Sequence, residues 1–249
     1  MGENQGAGPL EADEFRETRT WMDSQYNKYM HARRILSTLS ESTLRRYSPR
    51  SPKQPRKNRE EEMVLHRMIA ALHVYESDAV ACAQSGADFA SGLMASAACE
   101  GLAIVGLIRK KRELRQSTQF TKHWKAAKEI AKRRNITLTL SKFLLNLRFQ
   151  ELFSLARAVG LYNEQNLPEQ VAEALEERGW RGRLTDFVRR ARNCIHPRWN
   201  IDANEEYAKA LDVMYPIERM KSFHVDFALC AWELHGRLAE GLKSKDSSI

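Results

Sequence analysis

The stretch "ASGLMASAACEGLAIVGLIRKKREL", Ala90 to Leu114, decides the fold. It reads as a helix that is small and apolar almost all the way round until its basic end. Alanine, serine and glycine let a second helix approach closely, so such a helix belongs at the centre of a bundle. Glu100 is the odd member, a carboxylate inside an apolar run. It is either paired within the core or set at the edge of a site. The purely apolar part, Leu102 to Ile108, falls well short of the roughly 20 residues that cross a bilayer.

Helical periodicity continues on both sides. Upstream, "EEEMVLHRMIAALHVYESDAVACAQ" forms a helix from about Asn58, its first turn acidic as the helix dipole prefers, and "SGADF" (85–89) breaks or loosens it. Residues 1–11 read as disordered, 12–47 as an additional N-terminal helix, and 48–58 as a linker rich in proline and basic residues. The main helical domain is 59–249. Downstream, "NITLTLSKFLL" (135–145) is β-branched and suits a short strand-like piece, but one such piece makes no sheet. Residues 146–162 form an amphipathic helix ending near Gly160. Residues 166–180 carry a helix with Pro168 at its start. A helix over 185–197 has Thr185 or Asp186 available as cap, and a last helix runs over about 204–242 with a bend at Pro216. No internal repeat is present, and the expected fold class is all-α.

Composition agrees. Apolar residues make up 43% of the 249, enough to bury a core, while Gly (12) and Pro (7) are too few for a turn-rich β-fold. The formal charge of +8 favours an anionic partner. It is concentrated: residues 109–134 hold eleven Lys/Arg against two Glu, so the remainder is close to neutral. Arg109, Lys110, Lys111, Arg112, Lys132, Arg133 and Arg134 are candidate RNA-backbone contacts; a solvated helix face is the plainer reading. Cys82, Cys99, Cys194 and Cys230 form no CxxC pair and lie at no zinc spacing, so they are expected as reduced thiols with no metal and no cofactor. The N-terminus lacks signal-peptide features, and a cytoplasmic protein without membrane contact is expected. His66, His73, His123, His224 and His235 are scattered and receive no chemistry.

The densest polar chemistry is "FVRRARNCIHPRW", Phe187 to Trp199. On a helix, Arg189, Arg192 and Asn193 lie about 20°, 40° and 60° from His196, whereas Arg190 lies about 120° away. That face suits a phosphodiester. Guanidinium forks match phosphate oxygens and stay charged, Asn can orient a hydroxyl, and His moves protons near neutrality. RNA carries its own nucleophile in the 2′-OH, so no metal is required. Arg198, just beyond Pro197, is a further RNA contact. The plainer alternative is a cationic face that satisfies the C-terminal helix dipole.

"RRARNCIHPR" resembles the signature of the HEPN superfamily, small helical domains with an Arg…His motif. Arg189, Arg192, Asn193, Ile195, His196 and Pro197 match the form R-D-x-R-N-x-I-H-P position by position. "ACEGL" (98–102) and "FQELFSLARAVGL" (149–161) extend the likeness over roughly residues 75–240. Arg190 stands where the family usually has Asp, Asn or His. Six residues separate Arg189 from His196, and the interval from Arg192 is one short, so either arginine is the motif arginine.

The resemblance implies a four- to five-helix bundle that forms a homodimer through the motif helix. It implies a metal-independent endoribonuclease, with Arg189, Arg192, Asn193 and His196 catalytic, in a prokaryotic toxin–antitoxin or antiviral defence system with a neutralising or regulatory partner protein. The alternative it carries is a catalytically silent RNA-binding or protein-assembly module. Carboxylates such as Glu100 or Asp186 capping the arginine face would mark the site as structural. Convergence of the two chains' arginines and histidines on one cleft would mark it as catalytic. A DNA-binding regulator is disfavoured, because no helix-turn-helix pattern is present.

Overall fold

A computed structural model describes Thr20, Asp23, residues 56–193 and residues 217–243, with the side chains of 56–62, 66, 217–222 and 243 left aside. Apart from Thr20 and Asp23, both helical, the expected N-terminal helix lies outside the described residues, as do linker residues 48–55 and Pro216. The expected linker end is corrected, because Arg56 to Asn58 already belong to a helix. The described chain is all-α, with no strand.

Helix α1 (Arg56–Gln84) and helix α2 (Asp88–Arg109) form a hairpin. The turn at "SGADF" is a true break: Gly86 takes φ +74°, where a side chain is strained. Helix α1 starts at Arg56, so its first turn is RKNR and the glutamates fall in the second turn. Short helix α3 (Lys111–Gln116) and helix α4 (Thr118–Arg133) follow, then α5 (Leu140–Leu145), α6 (Phe149–Ala158), α7 (Glu169–Glu177), α8 (Leu184–Asn193) and the long α9 (Ile217–Lys243).

Helix α2 is the axis, as its small residues foretold. Fourteen of its 22 residues are buried, and it packs on α1, α9, α5, α6 and α8. By length and composition it is apolar enough to cross a membrane, but most of its surface is covered by its neighbours, the position of a bundle's core helix. Close approach is written into Gly92, where a Cβ would fall 2.7 Å from the Phe227 ring of α9.

The strand-like reading of 135–145 is corrected. Thr139 adopts an extended conformation and accepts the Lys142 amide at 3.3 Å, capping α5, and Leu140, Phe143 and Leu144 turn into the core. The β-branched residues sit in the approach, and the helix begins where leucines replace them. Helix α6 ends before Gly160 (φ +64°), and Pro168 precedes α7, as expected. The expected caps for α8 are also corrected. Asp186 and Thr185 both lie inside the helix. Glu164 from the preceding loop accepts the Thr185 amide at 3.2 Å and its hydroxyl as well, so a carboxylate sits at the positive end of α8.

Candidate functional site

Helix α8 is held by its apolar face. Leu184, Phe187, Val188 and Ala191 are buried, which fixes where the remaining side chains emerge. Arg190 leaves on the side away from the motif face and lies 4.5 Å from the centre of the Trp180 ring, a cation–π contact. Arg189, Arg192 and Asn193 are partly buried. His196 and Arg198, together with Cys194, Ile195 and Pro197, lie outside the described residues.

Both arginines meet carboxylates of their own chain. Arg192 Nη1 pairs with Glu100 Oε1 of α2, each side chain about one-third exposed. Its guanidinium lies 5.9 Å from the centre of the Phe149 ring at the start of α6. Burial draws Arg192 below the usual arginine range, while Cys99 and Tyr75 push the other way; a guanidinium stays charged at neutral pH even so. Arg189 lies 3.9 Å from Asp186. With the Gln150 amide oxygen turned toward it, Arg189 also donates through Nε at 3.3 Å and Nη2 at 3.1 Å.

The consequence is electrostatic. Two guanidiniums face two carboxylates, so the motif face is locally near neutral, and it latches α8 to α2 and α6. Glu100, the odd carboxylate of the apolar helix, takes the role of a core-edge partner. Gln150 and Phe149 were not singled out from the sequence. Their signal was their place at the start of an amphipathic helix, which gives no direction toward α8.

The open cationic surface is elsewhere. Arg109, Lys111, Arg112, Lys132, Arg133 and Arg134 are exposed as expected. Lys110 is corrected: it is buried, and its ammonium donates to the carbonyls of Val159 (3.1 Å) and Gly160 (3.0 Å), closing the end of α6. Lys122, Lys125 and Lys128 are also exposed. With Lys132 and Arg133 they span about 140° of the α4 surface at 100° per residue, interrupted by Glu129. Lys128 lies 5.8 Å from the centre of the Trp124 ring.

Cys99 and Cys230 are buried thiols whose burial pushes them well above the usual range, so neither is a nucleophile. Among the described residues no cluster of three or more His, Cys, Asp or Glu could hold a metal. One buried pair went unread in the sequence. His235 Nε2 of α9 and Glu76 Oε1 of α1 meet at 2.8 Å, both side chains essentially without solvent.

Comparison with known proteins found no matching family model, no matching curated protein and no matching solved structure.

Proposed function

We propose that the chain is a HEPN-like RNA-binding module of the cytoplasm in which the motif arginines serve structure and the ridge on α4 meets the RNA backbone. The pairing of Arg192 with Glu100, seconded by that of Arg189 with Asp186 and Gln150, carries this reading. A phosphate approaching the motif face meets compensated guanidiniums, whereas one approaching α4 meets exposed, uncompensated lysines. Phosphate contacts of this kind position a protein on RNA without reading sequence.

The second reading is the metal-independent endoribonuclease, and one observation favours it. Arg189, Arg192 and Asn193 share a face that keeps partial solvent access. In that mechanism His196 takes the proton of the 2′-OH as this oxygen attacks phosphorus, and the 5′-oxygen leaves with a proton from the second histidine of the composite site, giving a 2′,3′-cyclic phosphate. Arg192, displaced from Glu100, stabilises the phosphorane charge. The motif helices of two chains would supply a composite site, under control of a neutralising partner protein.

The deciding experiment is a gel assay on mixed RNA in EDTA with wild type and His196→Ala. We expect RNA bound and left intact by both. Cleavage by wild type and not by the variant would overturn the binding-module reading and install the ribonuclease.

A further inference from the structure

The outer face of α1 is unusual for a surface helix. Among the described residues, three of the six exposed large apolar side chains lie on it: Met63, Val74 (57% exposed) and Tyr75 (40% exposed). Arg67, Ala70, Val74 and Asp78 are all exposed and Ala71 is half-exposed. At 100° per residue Arg67 and Asp78 are about 20° apart on the same face and about 16 Å apart along the axis. Ala71 and Val74 fill the strip between them, with Ala70 and Tyr75 on its two opposite edges. Neither Arg67 nor Asp78 makes an ion pair among the described residues of its own chain.

This strip is complementary to itself. Turn a second copy end for end about the midpoint between Leu72 and His73, and residue i faces residue 145 − i of the partner. Position 67 then meets 78, and position 71 meets 74. Each arginine faces an aspartate, and each valine packs on an alanine. A parallel arrangement would set arginine on arginine and aspartate on aspartate. A two-fold interface uses the same patch on both partners, so a self-complementary strip suits a two-fold better than a foreign surface. The small residues at its centre allow the two helices to approach closely.

We infer that α1 pairs antiparallel with α1 of a second copy of this chain, register fixed by reciprocal Arg67–Asp78 ion pairs. The inference does not depend on whether the chain cleaves RNA. It does border the motif site, because Tyr75 lies near enough to Arg192 to act on its charge. A strip of three turns is small for an interface, so the dimer is reversible and its population follows concentration.

The test is sedimentation velocity on the full-length protein over a concentration series, with circular dichroism to verify folding. Wild type is expected to move from monomer to dimer as concentration rises. Arg67→Glu alone and Asp78→Arg alone are each expected to weaken pairing at least tenfold. An equimolar mixture of these two variants should regain it. The Arg67→Glu strip is acidic at both positions and the Asp78→Arg strip is basic at both, so every facing pair in the mixed dimer is of opposite charge. A monomer at all concentrations would overturn the inference and point to residues 12–47 or another protein as the cover. A dimer indifferent to both charge changes, or no recovery on mixing, would overturn it equally by placing the interface on another face.

Discussion

The difference in burial between two carboxylate contacts sets what each does. Glu100 and Arg192 are about one-third exposed, so water screens them and much of the interaction is returned as solvation. Glu76 and His235 are sealed between α1 and α9, and Glu76 Oε2 has no hydrogen-bond partner. Removing the imidazole would strip the carboxylate of its bond in a place water does not reach. His235→Ala is therefore expected to cost about 3–5 kcal/mol, and Glu100→Gln about 1 kcal/mol or less, both read from urea denaturation. Equal costs would mean that burial does not set the scale here. His224 acts through pH. Its ring lies 4.8 Å from that of Phe89, and burial depresses it below the usual histidine range, against an opposing pull from Asp88. The unfolded chain thus takes up this proton at higher pH than the folded one. The stability held by the neutral ring is complete above about pH 6.5 and is lost as pH falls through the lower folded value. His224→Phe, which keeps an aromatic ring against Phe89, should flatten the fall in the urea midpoint between neutral pH and pH 5. A fall as steep as in wild type would remove His224 as its source.

At the scale of elements, the fold depends on how closely α2 and α9 approach their neighbours. The clearest case is Gly241 in the last turns of α9, whose hypothetical Cβ would overlap the backbone carbonyl of Leu161. Backbone yields less readily than the end of a flexible side chain. Gly241→Ala would normally favour a helix by up to about 1 kcal/mol. Here the clash is expected to win, with a net loss of roughly 1–3 kcal/mol from overpacking. A raised melting temperature in Gly241→Ala would show that α9 can shift without cost. The same loop is held from the other side by Arg237, which donates to the carbonyls of Asn163, Gln165 and Asn166. That clamp also fixes Glu164, which caps α8, so the position of the motif helix is set by a residue of α9.

At the scale of the whole molecule, the helical class was legible because periodicity and small residues act locally. Ala90 to Ile108 declared the central helix. What one chain's pattern could not state was which carboxylate each arginine would find. Glu100 and Arg192 are far apart in sequence, and only the packing of α8 on α2 brings them together. Lys110 failed for the same reason: its neighbours are exposed, but the end of α6 needs a donor where it stands. The charge distribution that results is lopsided, with a compensated motif face and an open ridge on α4, and that difference can be weighed in solution. RNA binding through the ridge releases counterions, so the logarithm of the association constant should fall linearly with the logarithm of salt concentration. Reversing Lys125, Lys128 and Lys132 to glutamate should lower affinity and flatten that slope by about two, at about 0.7 for each phosphate of a single strand left unneutralised. Arg189→Gln should leave the slope nearly unchanged, because Arg189 is already occupied by Asp186 and Gln150. A slope that flattens for Arg189→Gln and not for the lysine variant would move the RNA from the ridge to the motif face, and with it the weight from binding to catalysis.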